Sequence, residues 1–192
     1  MKKLKGKKGF TLIEVIVILA VIAILAAVLT PMIIGYISDA RTRRAQSDVK
    51  IIASAVLAFN KDMKDWPIWV TNTDRKTPGT PYAALTSGDG DIPTGTIPTP
   101  LGSIDEQLMT NVPVYPGTGG SKWVGPYLET VKADPWGNKY YIDVVGLQPN
   151  NLSSFKPAYV VSAGPNKKLD TASGQSGPLV TIGDDDIVFR IK

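Results

Sequence analysis

The 192-residue chain contains no cysteine and no histidine. Without cysteine there is no disulfide, thiolate metal site, thiol nucleophile or lipid-modified cysteine. Without histidine, Ser-His-Asp and Cys-His catalysis are excluded. Carboxylates and carbonyl oxygens remain as metal ligands, a donor set that suits a hard ion such as calcium. Charge is also sparse, at 20% of residues against 43% hydrophobic. That is enough apolar material for a core, and it argues against wholesale disorder. The length predicts one ordinary domain with an appendage.

The formal charge of +4 is unevenly placed, because Lys2, Lys3, Lys5, Lys7 and Lys8 crowd the first eight residues. The remainder carries 16 basic and 17 acidic groups and is close to neutral. No basic patch interleaved with aromatics is present to bind nucleic acid.

From Phe10 to Ile37 the only charged residue is Glu14, and Val15 to Leu29 is unbroken apolar sequence. As a helix, Phe10 to Ile34 would measure roughly 37 Å, enough to cross the hydrocarbon layer. Basic residues before the segment place the N terminus in the cytoplasm and the body outside. A cleaved secretory signal fits less well, because its small-residue candidates around Ala23 to Ala27 lie inside continuing hydrophobic sequence. A plain anchor leaves the carboxylate of Glu14 unexplained, since charge within the apolar layer needs a partner.

Lys7-Lys8-Gly9-Phe10-Thr11-Leu12-Ile13-Glu14-Val15 resembles the prepilin signal of type IV pilins and type II secretion pseudopilins. The resemblance implies cleavage between Gly9 and Phe10 by a prepilin peptidase and methylation of the new amine on Phe10. It also implies an assembly role for Glu14, the fifth residue of the mature chain, and matches the family's proline at Pro31. The new amine is a cation, and a buried Glu14 carboxylate is tolerated when paired with one or protonated. In a helical stack a neighbour's amine could supply that partner; the alternative is a hydrated Glu14 near the interface. Pro31 cannot donate to the carbonyl of Ala27, which predicts a kink or a locally opened stretch.

Beyond Asp39 the chain turns polar, yet Ala45, Val49, Ile52, Val56 and Phe59 keep an apolar stripe at spacings of three and four. One helix from near Phe10 to about Lys61 is predicted, its second half amphipathic. Composition then shifts to Pro, Gly, Thr and Trp through roughly residue 122, and Trp66-Pro67-Ile68-Trp69 is placed to close the helix end. Residues 86–102 read as a turn-rich excursion. Asp89 and Asp91 within it read as a turn rather than a cation site. Residues 139–145, 158–162 and 187–191 read as strands, with Gln148-Pro149-Asn150-Asn151 as a loop. Three antiparallel strands on the helix stripe give an α+β head.

Trp123-Val124-Gly125-Pro126-Tyr127-Leu128 and Asp134-Pro135-Trp136-Gly137-Asn138-Lys139-Tyr140 are similar to paired motifs of the major pseudopilin family of type II secretion. Asp-Pro-Trp-Gly-Asn is a tight turn feeding a strand, and core packing is the expected role of Trp136. Type IV pilins usually carry a C-terminal disulfide, which is excluded here.

The same resemblance implies a calcium loop near the C terminus, mapped onto Ser162-Ala163-Gly164-Pro165-Asn166-Lys167 and Gly183-Asp184-Asp185-Asp186. Its implied ligands are Asn166, Asp184, Asp185 and Asp186, with Asp170 and the backbone of Ser162 or Ala163 as further candidates. Asn166 stands where the family usually has aspartate, and the connection through Gly174 to Gly177 is longer than usual. Three consecutive acids repel one another unless a cation or hydrogen-bond donors compensate them. A solvated acidic turn is the alternative.

The expectation is therefore a type IV pilin-like α+β protein, with residues 1–9 a cleaved leader, 10–38 a membrane and filament-core half-helix, and 39–192 a periplasmic head with a loop-rich region at about 64–122. Its function is expected to be that of a non-enzymatic subunit of a type II secretion pseudopilus. Expected partners are further copies of itself in a helical filament, prepilin peptidase, minor pseudopilins and the inner-membrane assembly platform. The alternatives are a type IV pilin for adhesion, motility or DNA uptake, and a membrane-anchored periplasmic enzyme or sugar-binding module.

Overall fold

The computed structural model describes residues 9–69, 81–111, 115, 120, 122–148, 156–177 and 179–192. The basic leader 1–8, Pro149-Asn150-Asn151 and parts of the 64–122 region lie outside the described residues. The chain divides into two compact units, 1–40 and 41–192.

Helix α1 spans Leu12–Met63, within two residues of the expected bounds at either end. In the first unit it is the one helix among the described residues long and apolar enough to cross a membrane. Its apolar side chains from Phe10 to Ile37 are exposed. Pro31 lies inside the helix, which continues on both sides of it. One residue earlier the Thr30 hydroxyl donates to the Ala26 carbonyl at 2.7 Å. The missing N–H of proline therefore does not end the helix.

In the second unit, the same helix buries Ala45, Val49, Ile52, Val56, Phe59 and Met63. These positions alternate by four and three, the repeat of one helical face. The helix ends where Lys64 turns left-handed, at φ +55°. Asp65 then accepts the Trp66 N–H at 2.8 Å and the Trp69 indole N–H at 3.0 Å. Ile68 is buried, with Trp66 and Trp69 partly buried against the same core.

A five-stranded sheet has the order β2-β1-β3-β4-β5. Its strands are β1 Ala84–Ser87, β2 Leu101–Ser103, β3 Tyr140–Asp143, β4 Tyr159–Ser162 and β5 Ile187–Arg190. The expected antiparallel trio is β3, β4 and β5. Two additions come from the stretch read as a loop. β1 pairs antiparallel with β3, and β2 pairs parallel with β1, so the sheet is mixed rather than wholly antiparallel. The excursion of residues 88–100 is long enough to return the chain in the same direction, since a parallel pair needs a crossover of about a dozen residues. A short helix, α2 Ile104–Met109, follows and buries Ile104 and Leu108.

The sheet is covered on both faces. Leu85, Tyr140, Ile142 and Val160 pack with the α1 stripe, whereas Ala84, Tyr141, Tyr159 and Val161 pack with Ala163 and Leu169 in a second cluster. Ile97, Leu101, Val180 and Val188 flank that second core. β1, β3 and β4 are accordingly buried at every position. The head is thus a three-layer arrangement of helix, sheet and loops.

Candidate functional site

The N-terminal site begins with Gly9 and Phe10, both exposed ahead of α1. Thr11 is the residue before the helix, and Glu14 lies three positions on. The Glu14 carboxylate accepts the Thr11 N–H and the Thr11 hydroxyl, each at 2.8 Å, and the Glu14 N–H donates back to that hydroxyl at 3.3 Å. This is a reciprocal capping box, which satisfies two of the donors a helix start leaves orphaned. The pattern Thr-x-x-Glu ahead of an apolar run signals it in the sequence. Glu14 therefore has a partner within its own chain.

Asp134 organises the turn of the second motif. Its carboxylate accepts the N–H groups of Trp136 at 3.0 Å and Asn138 at 2.8 Å on one oxygen. The other oxygen accepts the Ser162 hydroxyl at 2.8 Å. Gly137 takes φ +97°, a conformation that favours glycine. The turn is thereby fastened to the end of β4, where the acidic loop begins. Trp136 is only partly buried, whereas Trp123 and Tyr127 pack on the main core. Tyr127 lies edge-on to Phe59 with ring centroids 5.5 Å apart. The core role expected for Trp136 falls instead to these two aromatics.

The C-terminal loops bring Asp170, Asp184 and Asp185 together, with one carboxylate oxygen of each within 4.8 Å of the others. Two glycines permit the approach. A Cβ on Gly164 would lie 2.5 Å from the Asp185 carbonyl oxygen, and one on Gly183 would lie 2.3 Å from the Asp170 carbonyl carbon. Asn166 braces the cluster: its N–H donates to Asp185 at 2.9 Å and its side-chain NH₂ to Asp170 at 2.8 Å. The amide oxygen of Asn166 accepts the Lys168 N–H at 2.7 Å. In this arrangement Asn166 serves the cluster as a donor. Ser162 and Ala163 are buried at the end of β4.

Asp186 is buried and uses one oxygen to accept the N–H groups of Asp170 and Thr171. Burial pushes its carboxyl above the usual carboxylate range. The opposite holds for Asp170, which hydrogen bonds from Lys168 and then Asn166 keep below that range. One oxygen of Asp185 and one of Asp186 are buried without a hydrogen-bond partner. Converging carboxylates with orphaned oxygens suit a hard divalent cation, which takes several oxygen ligands and compensates their charge. The residues present fit calcium.

The family model "Prokaryotic N-terminal methylation motif" matches residues 4–30. The chain is similar to "Type II secretion system core protein G" of Escherichia coli, 23% identical over 171 residues that cover 89% of this chain and 90% of that protein. It is also similar to the protein of the same name in Pseudomonas aeruginosa, 25% identical over 139 residues, 71% of this chain and 72% of the other. A "Fimbrial protein" of Pseudomonas aeruginosa is 40% identical over 52 residues, 27% of this chain and 34% of that protein. No solved structure matches significantly. The matched motif covers the segment that carries the prepilin-type resemblance, and the similarity to core protein G runs over most of both chains. The motif and the one apolar helix of membrane-spanning length among the described residues are consistent with a membrane-anchored protein.

Proposed function

We propose that the chain is the major structural subunit of a type II secretion pseudopilus. The observation that carries this reading is the similarity to core protein G over most of both chains, joined to a methylation motif at residues 4–30. The apolar half of α1 anchors the subunit in the inner membrane, with the N terminus cytoplasmic and the head periplasmic. Prepilin peptidase cuts between Gly9 and Phe10 and the Phe10 amine is methylated. Subunits then leave the bilayer and stack through α1 into a periplasmic filament that drives protein export, with minor pseudopilins and an inner-membrane platform as partners. The role is architectural rather than enzymatic, and nucleic acid is not a partner.

Glu14 is the register device of this assembly. In the free subunit its carboxylate is held by Thr11. In the filament the cationic amine of a neighbour's Phe10 takes up its negative charge, which the apolar layer otherwise penalises. Replacement of Glu14 by alanine leaves membrane insertion and cleavage intact and abolishes incorporation into filaments. Cell fractionation, mass measurement of the processed N terminus and recovery of sheared filaments test this together. Normal filaments from the Glu14→Ala chain contradict the assembly role.

Calcium belongs to the same reading. Asp170, Asp184 and Asp185 would hold it, with Asp186 and Asn166 supporting the loops around them. When bound, the ion supplies positive charge that relieves carboxylate repulsion and pins the two C-terminal loops to each other.

A second reading, a type IV pilin for adhesion, motility or DNA uptake, is favoured by the 40% identity to a fimbrial protein over 52 residues. The full-length similarity and the missing cysteine pair weigh toward secretion.

A further inference from the structure

Lys168 enters the acidic cluster from the same loop that supplies Asp170. Its ammonium is ion-paired with one oxygen of Asp170, while the other oxygen of that carboxylate accepts the Asn166 NH₂ at 2.8 Å. Both oxygens of Asp170 are thus engaged by donors from the chain, although Asp170 is one of the three carboxylates that converge. The buried oxygen of Asp185 has no such donor. The Lys168 side chain is 59% exposed, and its backbone N–H is held separately, by the Asn166 amide oxygen. It can swing into water without unmaking the core.

We infer that Lys168 is a tethered competitor of the divalent cation: its ammonium holds Asp170 while the ion is away and must release Asp170 when the ion binds. This rests on the calcium reading and adds a determinant of affinity and selectivity that the carboxylates alone do not provide. An ammonium brings one positive charge and three N–H donors, so it offsets one carboxylate, whereas a calcium ion carries two charges and takes six to eight oxygen ligands. A monovalent ion offers no more charge than the ammonium it displaces. A divalent ion does, so the exchange selects for double charge. The same contact keeps the ion-free loop ordered, so the head does not depend wholly on calcium to form.

The test uses the full chain in detergent micelles, stripped with chelator and titrated calorimetrically with calcium chloride. Lys168→Met removes the charge and keeps the stem, Lys168→Gln removes the charge with a polar end, and Lys168→Arg keeps the charge. Lys167→Met makes the same change in net charge one residue away. Lys168→Met and Lys168→Gln are expected to bind calcium roughly tenfold more tightly than the parent chain, from removal of a like charge at the site. Lys168→Arg and Lys167→Met are expected to bind like the parent. The ion-free melting temperature of Lys168→Met falls while the gain on adding calcium grows. Equal affinity in the parent and in both neutral variants overturns the competitor and leaves the calcium site standing, as does equal tightening by Lys167→Met. Absence of calcium binding in every chain overturns the calcium reading, and the competitor with it.

Discussion

Thr171 and Asp186, fifteen residues apart, are joined by a 2.6 Å hydrogen bond from the Thr171 N–H to the Asp186 carboxylate. The Asp170 N–H reaches the same oxygen at 3.0 Å. In return the Thr171 hydroxyl accepts the Gly183 N–H at 3.1 Å. The turn that leads into β5 and the loop that carries Asp170 are therefore clasped by the protein's own groups, independently of any ion.

Replacing Asp186 by alanine leaves two backbone N–H groups short of an acceptor in a largely buried place. The head should lose about 2–3 kcal/mol, the range for unsatisfied buried donors next to a charged acceptor. Urea denaturation in excess chelator measures it without a contribution from calcium. An unchanged midpoint would show that the clasp is idle.

Tyr140 is fully buried from β3 outward, and its hydroxyl donates to Asp48 of α1 at 2.6 Å. Arg44 flanks the same carboxylate at 3.5 Å and also donates to the Ala133 carbonyl at 3.0 Å. Tyr140→Phe should cost about 1.5–3 kcal/mol, the net worth of a hydrogen bond to a charged acceptor. The variant keeps the ring, so a much larger loss of stability would point to repacking.

Burial pushes the phenols of Tyr140, Tyr141 and Tyr159 well above their ordinary value of 10.0. A raised folded value means that the folded chain holds protons the unfolded chain gives up. Their contribution is complete below pH 10 and is lost as the pH rises from there toward the folded values. Denaturation midpoints should be flat up to that point and fall above it, with phenolate absorbance of these tyrosines appearing only as structure is lost. Ionisation of all seven tyrosines of the chain near the ordinary value, with the fold intact, would contradict the buried placement.

Phe59 is completely buried and meets Tyr115 edge-on at a centroid distance of 4.9 Å. Phe59→Ala should destabilise the head by about 3–5 kcal/mol through lost burial and the cavity it leaves. Leu57, two residues away and 44% exposed, gives the contrast. Its alanine variant should stay within about 0.5 kcal/mol of the parent.

Calcium should raise the melting temperature of the full chain in micelles, and the double variant Asp184→Ala, Asp185→Ala should lose that rise. With both carboxylates gone, Asp170 alone cannot hold a hard ion that takes six to eight oxygens. A calcium-induced rise that survives in the double variant would place the ion elsewhere.

The helix and the last three strands could be read from local pattern alone. The α1 stripe from Ala45 to Phe59 has an unmistakable period, and β3, β4 and β5 are runs of β-branched and aromatic residues. The strands β1 and β2 carried no such signal. Ala84-Leu85-Thr86-Ser87 has only one β-branched residue, and Leu101-Gly102-Ser103 has a glycine at its centre. Both form because distant partners hold them: Leu85 pairs with Ile142, and Gly102 admits the Tyr82 ring, 2.6 Å from where a Cβ would stand. Tertiary context decides such strands. The continuous apolar character of Tyr140-Tyr141-Ile142 and Tyr159-Val160-Val161 was a signal that the sheet is covered on both faces.

At the candidate sites, the family resemblance drew attention to Gly9, Phe10, Glu14 and the triple aspartate. Spacing alone did not reveal that Thr11 caps Glu14, although Thr-x-x-Glu was there to be read. The joining of Asp134 to Ser162 depends on a turn meeting the end of β4 after folding, across 28 residues. The pairing of Lys168 with Asp170 is local, but a lysine two residues from an aspartate on a loop ordinarily points into solvent, so no sequence pattern signals it. Asn166 also differs in kind from the ligand that resemblance suggested, since its backbone N–H donates to Asp185 and its side-chain NH₂ to Asp170.

Deletion of the gene in its native host, with quantitative proteomics of periplasm and culture medium and imaging of surface pili, tests the secretion-subunit assignment most directly. The account predicts that exported proteins accumulate in the periplasm, that surface pili are unchanged, and that the intact gene restores export while a Glu14→Ala copy does not. Unchanged export together with loss of surface pili would contradict it and assign the chain to a pilus instead.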